Sequence, residues 1–146
     1  MKTILTEVTV QTSAALVYKT LADLEGYHVW NNFMVQGTGP VVVGKKISMK
    51  LYNGKTITPN VLVADDGKEL RWEGSILGNW FFGGEHYYKL EALGANSTKV
   101  IHGEDFYGIM VTLAPGFMKE IEKGYVVLNA NLKKHCEALS SALAAI

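Results

Sequence analysis

The chain lacks most of what would mark it as anything but a plain globular domain. Its one cysteine, Cys136, can form no internal disulfide, so the fold is not stapled by bridges. Neither charge sign dominates, with 14 basic and 14 acidic residues, which argues against a basic nucleic-acid surface and against an acidic tail. No apolar run reaches the length of a membrane span. Residues 1–10 alternate and carry Glu7, which reads as a strand rather than a signal peptide and gives a cytoplasmic expectation. There is no phosphate-cradling glycine loop, no nucleophile elbow and no dinucleotide fingerprint. Internal repeats, low-complexity tracts and linkers are missing too. At 146 residues the chain is long enough to build one core unaided, and residues 1–146 are expected to form a single domain.

What is present is a long amphipathic pattern at the end. From Gly116 to Leu143, steps of three and four residues place Phe117, Ile121, Tyr125, Leu128, Leu132, Cys136, Leu139 and Leu143 on one side. Such a helix spans about 40 Å at 1.5 Å per residue and needs a broad apolar partner. Upstream, the pattern supplies one. Residues 3–10 alternate as a half-buried strand, with Ile4, Thr6, Val8 and Val10 on one face. Thr12 or Ser13 can cap a short helix that Asp23 closes, and Leu24–Phe33 reads as a second short helix or turn. About six strands follow, punctuated by Gly39-Pro40, Asn53-Gly54, Asp65-Asp66-Gly67 and a turn around Gly94. Pro59 implies an edge or a bulge. The predicted class is α+β, with an antiparallel sheet curved around the last helix.

Strand parity gathers the residues that can carry chemistry. Pairing residues 85–92 with 97–107 sets His86 nearly opposite His102 and Tyr88 opposite Val100. Trp72, Glu104 and Phe106 share that face, which should point at the helix because Val100 and Phe106 suit a core better than Lys99 and Asp105. Imidazoles, a carboxyl and a phenol on an apolar wall are costly unless paired. One reason for them is acid–base catalysis, with His86 or His102 as proton carrier, Glu104 as its partner and Tyr88 as a donor to a carbonyl. Another is a buried network that holds the sheet and touches no ligand. A metal site is a third, but the two histidines and the glutamate lack metal-typical spacing. Tyr27, His28, Trp30 and Asn31 form a second group, either plug packing or a rim that orients a ligand. Trp80, Phe81 and Phe82 read as a lid, a homodimer contact or packing on the sheet edge. Tyr125 is expected to meet the interior, and Asn129, one turn on, to anchor the helix.

Three stretches resemble the SRPBCC group, also called the START or Bet v 1-like superfamily, and within it the polyketide cyclase/dehydrase-like proteins. They are Val17-Tyr18 through Leu21, Asp23, Tyr27 and Trp30-Asn31-Asn32-Phe33; Leu70, Trp72 and Gly74 through Gly83-Gly84-Glu85-His86-Tyr87-Tyr88; and Thr98, Val100, His102, Glu104, Phe106 and Gly108 leading to Asn129, Leu132 and Glu137. Asn32 stands where many members carry proline. The resemblance implies a helix-grip fold, in which about seven strands curl around the C-terminal helix and leave an apolar cavity. It implies a hydrophobic, oxygenated small-molecule ligand held by Trp72, Tyr27, His28, Trp30, Asn31, Phe106, Tyr125 and Phe82. The expected chemistry is cyclisation, dehydration or isomerisation without cofactor or metal. The alternatives are a non-catalytic carrier of a lipid, quinone or aromatic metabolite, and a protein-interaction module.

Overall fold

The computed structural model describes all residues from Met1 to Ile146. The chain runs β1 (Lys2–Val10), α1 (Ala14–Ala22), a 3-10 turn (Leu24–Gly26), α2 (Tyr27–Trp30), then β2 (Met34–Thr38), β3 (Ser48–Leu51), β4 (Thr56–Ile57), β5 (Asn60–Asp65), β6 (Glu69–Ile76), β7 (Phe82–Gly94) and β8 (Ser97–Tyr107). A short α3 (Met110–Leu113) and the long α4 (Pro115–Ala144) complete it. Ser13 caps α1, its Oγ accepting from the Leu16 amide at 3.2 Å. Pro115 opens α4, where its missing N–H costs nothing. No helix is long and apolar enough to cross a membrane.

Eight strands form rather than the expected seven, in two antiparallel sheets ordered β1-β8-β7-β6-β5 and β2-β3-β4. The segment after β2 explains the division. Val41–Val43 make turns instead of a strand, leaving Val42 and Val43 exposed, and the chain then bonds back to the start of β5. The Ile47 amide donates to the Pro59 carbonyl at 3.0 Å and the Val61 amide to the Lys45 carbonyl at 2.9 Å. These bonds make one curved wall of the two sheets. Pro59 sits at that bend, and a bulge follows between Val61 and Val63 on edge strand β5.

Helix α4 lies along β1, the opposite edge, and runs in the same direction. Asn129 meets Thr6, Lys133 meets the Thr9 carbonyl, and Glu137 accepts from the Gln11 amide. Its buried stripe is Met118, Ile121, Tyr125, Leu128, Asn129, Leu132 and Cys136. Phe117, Leu139 and Leu143, expected on that stripe, are 40%, 37% and 59% exposed. Phe117 lies in the first turn of the helix, beside α3, and Leu139 and Leu143 lie beyond Glu137, where the Gln11 contact marks the end of β1.

The space between sheet and helix is not filled evenly. Leu21, Tyr27, Leu70, Leu128, Leu132 and Cys136 pack one end solidly. At the other end Ile4, Phe106, Met118, Ile121 and Tyr125 form a separate, smaller cluster. The hollow of the fold opens beside this second cluster.

Candidate functional site

A cavity of about 330 Å³ lies between the curved wall and the N-terminal half of α4. Its walls are mostly apolar. Leu51 and Ile57 come from β3 and β4, Trp72 and Ile76 from β6, Phe82 from β7, Phe106 from β8, and Ile121 from α4. The polar groups on this surface include His86, Glu104 and the Tyr125 ring.

Register accounts for their meeting, and it differs from the sequence-based pairing by two residues. Tyr88 lies opposite His102, His86 opposite Glu104, and Leu90 opposite Val100. The tight turn falls at Ala95–Asn96, with a bulge between Ala92 and Gly94, so the hairpin is centred one residue later than Gly94 suggested. A slip of two leaves every side chain on its predicted face. The two imidazoles therefore still touch, but diagonally, Nε2 to Nε2 at 2.8 Å.

Of the residues expected to act chemically, His86 and Glu104 line the cavity, whereas His102 and Tyr88 are fully buried behind it. The rings form two stacks that meet edge-on: Trp72 on His86 at 4.7 Å, and Tyr88 and Tyr125 on either side of His102 at 4.5 and 4.3 Å, with the two imidazoles 68° apart. Burial pushes the imidazoles toward the neutral form. His102 falls to about 4 despite its bond to Asn129, and His86 is lowered well below its ordinary value by burial first, then by His102 and Arg71. Burial acts oppositely on Glu104, raising it to about 7 against the bond from the Tyr125 hydroxyl, which favours the carboxylate. Near neutral pH the titrating group on this wall is the carboxyl, not an imidazole.

Gly84 makes room for that carboxyl. A Cβ at position 84 would overlap Glu104 Oε1 and sit 3.0 Å from its Cδ. Gly84→Ala is therefore expected to push the carboxyl off the wall and to cost about 1–3 kcal/mol by overpacking. Denaturant unfolding measures the loss; unchanged stability would mean the carboxyl has space to move.

Among the expected ligand contacts, Trp72, Phe82, Phe106 and Tyr125 line the cavity, and Tyr27, His28, Trp30 and Asn31 do not. Tyr27 is fully buried and donates to the Leu21 carbonyl at 2.5 Å, with Trp30 edge-on to it at 5.1 Å. Asn31 Oδ1 accepts from the Phe33 and Met34 amides at 3.0 and 2.8 Å, shaping the turn into β2. His28 is exposed and its Nδ1 donates to the Glu25 carbonyl. This group is the plug at the solid end of the core. Asn32 holds it to the helix, donating to the Gly124 carbonyl at 3.3 Å, a bond proline could not make. The aromatic loop divides: Trp80 is 69% exposed, while Phe81 and Phe82 turn into the cavity.

The sequence reading missed Phe33 as a wall residue. It packs edge-on to Tyr125 at 5.1 Å, in the gap left by Gly124 on the helix. A glycine inside an otherwise strong helical pattern was the available signal. Gly84, in a strand of aromatics, was a second.

Comparison with known proteins agrees with this architecture. No curated protein sequence matches the chain. Among solved structures it is similar to the Aha1 dimer from Colwellia psychrerythraea (TM-score 0.76, 22% identity, covering 94% of this chain and 97% of that one). It is similar to the Zhui aromatase/cyclase from a Streptomyces species (0.75, 15%, covering 93% of each chain). A START superfamily protein from Mycobacterium smegmatis is also similar (0.69, 18%, covering 94% of this chain and 98% of that one). At these identities the likeness speaks for the fold: a helix-grip domain of the START type. The profile of one family, described as "Polyketide cyclase / dehydrase and lipid transport", matches residues 1–137, and the chain belongs to that family.

Proposed function

We propose that the cavity binds a small, largely apolar molecule carrying oxygen, and that Glu104 exchanges a proton with it. The reaction class is cofactor-independent cyclisation, dehydration or isomerisation, which needs a shaped pocket and one group able to both give and take a proton. The observation that carries this reading is a carboxyl on a mostly apolar wall, bonded to the Tyr125 hydroxyl and raised by burial to about 7. A general acid–base group works best when its pKa lies near the working pH. The proton carrier is thus Glu104, with Tyr125 orienting it through the bond to Oε2 and His86 beside it as a neutral hydrogen-bonding group. Trp72, Phe82 and Phe106 hold the apolar body of the ligand. A volume of about 330 Å³ is at the small end of ligand pockets, and favours a compact molecule over a long lipid.

A carrier that binds without reacting is the second reading. The apolar wall and the "lipid transport" in the family's description favour it. Both readings require occupancy. A bound compound at one hundred times its dissociation constant should stabilise the fold by about 2.7 kcal/mol, seen as a clear rise in Tm. A panel of naphthols, aromatic ketones and polyketide-like compounds tests this. If none shifts the melting curve, both pocket readings fail; if one does, its turnover separates the enzyme from the carrier.

A further inference from the structure

Behind the cavity wall runs a chain of hydrogen bonds whose direction is fixed by its far end. Thr6 Oγ1 lies 2.8 Å from the backbone carbonyl of His102, which can only accept, so the Thr6 hydroxyl donates to it. The same oxygen is then free to accept, and Asn129 Nδ2 donates to it at 2.8 Å. That orients the amide, turning Asn129 Oδ1 toward His102 Nδ1 at 2.7 Å, so this nitrogen carries the proton. A neutral imidazole has one N–H, and His102 Nε2 is therefore a bare acceptor. Its neighbour at 2.8 Å, His86 Nε2, must donate to it. The last atom of the series, His86 Nδ1, is left without a proton.

We infer that Asn129, locked by Thr6, is a positioning residue that sets both histidines in one tautomer and leaves Nδ1 of the cavity-lining His86 an unpaired hydrogen-bond acceptor. The reversed arrangement is worse at both ends. With the amide flipped, the Thr6 hydroxyl would turn to Asn129 and abandon the His102 carbonyl. His86 Nδ1 would then carry a buried N–H, and it has no partner in the protein. An orphaned buried N–H is rarer in proteins than an under-used acceptor. His86 is 2% exposed and His102 and Tyr88 are fully buried, so bulk water does not compete for these protons.

The consequence for ligand chemistry deepens the function proposed above and rests on that reading. His86 and Glu104 face each other across β7 and β8, neighbours on one wall. The occupant should present an O–H or N–H toward His86, since the imidazole has no proton to offer a carbonyl there. A hydroxylated aromatic or an enol fits this, and its O-methyl ether does not.

Nitrogen-15 NMR of the two imidazoles at pH 7 tests the tautomers without any ligand. The expected pattern is a pyrrole-type shift for His102 Nδ1 and His86 Nε2 and a pyridine-type shift for His102 Nε2 and His86 Nδ1. The reverse pattern in the native protein overturns the inference outright. Asn129→Leu, with folding checked by its amide spectrum, should move the His102 Nδ1 and Nε2 shifts toward each other as the tautomers mix. A folded variant with both rings unchanged would show that Asn129 does not set them. Glu104→Gln should leave the pattern intact, so a failure of the carboxyl's proposed role and a failure of the relay give different results.

Discussion

Glu104→Gln is expected to lower turnover of any compound the protein converts by about two to four orders of magnitude while changing ligand affinity only a few-fold. That is the usual contribution of a positioned acid–base group. Glutamine keeps an oxygen to accept from Tyr125 and nearly the same volume, so the wall stays in place and only the exchangeable proton is lost. Kinetics on a converted compound, with affinity measured independently, give the split. Unchanged turnover would remove Glu104 from the chemistry and leave the carrier reading.

The same substitution has a readout that needs no ligand. The Glu104 carboxyl ionises near 7 in the folded protein, against an ordinary value of 4.5. Between those values the folded state holds a proton that the unfolded chain has released. Its contribution to stability is complete below pH 4.5 and is lost as pH rises through 7. The loss is about 3 kcal/mol at most, reduced where water in the cavity screens the charge. Glu104→Gln should therefore be the more stable protein at pH 8, and the two stability curves should converge toward pH 4.

Acid should act on the histidines with the opposite sign, and this is the second large effect. His102 titrates near 4 when folded, against 6.5 ordinarily, and His86 is also strongly lowered. As pH falls from 6.5, the unfolded chain takes up protons that the buried imidazoles refuse. The stability conferred by keeping them neutral is complete above pH 6.5 and disappears as pH falls through 4. His102 alone accounts for about 3 kcal/mol of this. In the wild type Glu104 offsets one histidine between pH 4.5 and 6.5, so the net decline there comes from the other. In Glu104→Gln nothing offsets either, and the decline should be about twice as steep or more. Urea unfolding at pH 8, 6.5, 5.5 and 4.5 on both proteins measures it. A wild type equally stable at pH 6.5 and 4.5 would mean that the two imidazoles are not both held neutral, and a Glu104→Gln protein equally stable there would mean that neither is.

These effects arise from residues whose shared face the sequence described well and whose cross-strand partners it did not. Alternation along residues 85–92 and 97–107 put His86, Tyr88, His102, Glu104 and Phe106 on one face, and an error of two in the pairing did not disturb that. It did exchange partners. With His86 opposite His102, an imidazole looks like the proton carrier; with His86 opposite Glu104 and His102 behind, it is the carboxyl that lies beside His86 on the cavity wall. The Tyr27, His28, Trp30 and Asn31 group shows the other limit. Aromatic and amide side chains line a pocket and fill a plug equally well, and the choice depends on where α2 lands against the sheet.

The order of elements, the long closing helix and the inward faces of the strands all follow from the amino-acid sequence by itself. Periodicity and turn chemistry act over a few residues, and a few residues are enough to state them. Where the core stays hollow, which of two hydrogen-bonded imidazoles reaches the hollow, and which way a buried amide points are decided by contacts between residues as far apart as Thr6 and Asn129. Burial and proton affinity are properties of the packed interior. No local pattern contains them, because the same histidine or glutamate in water would titrate at its ordinary value.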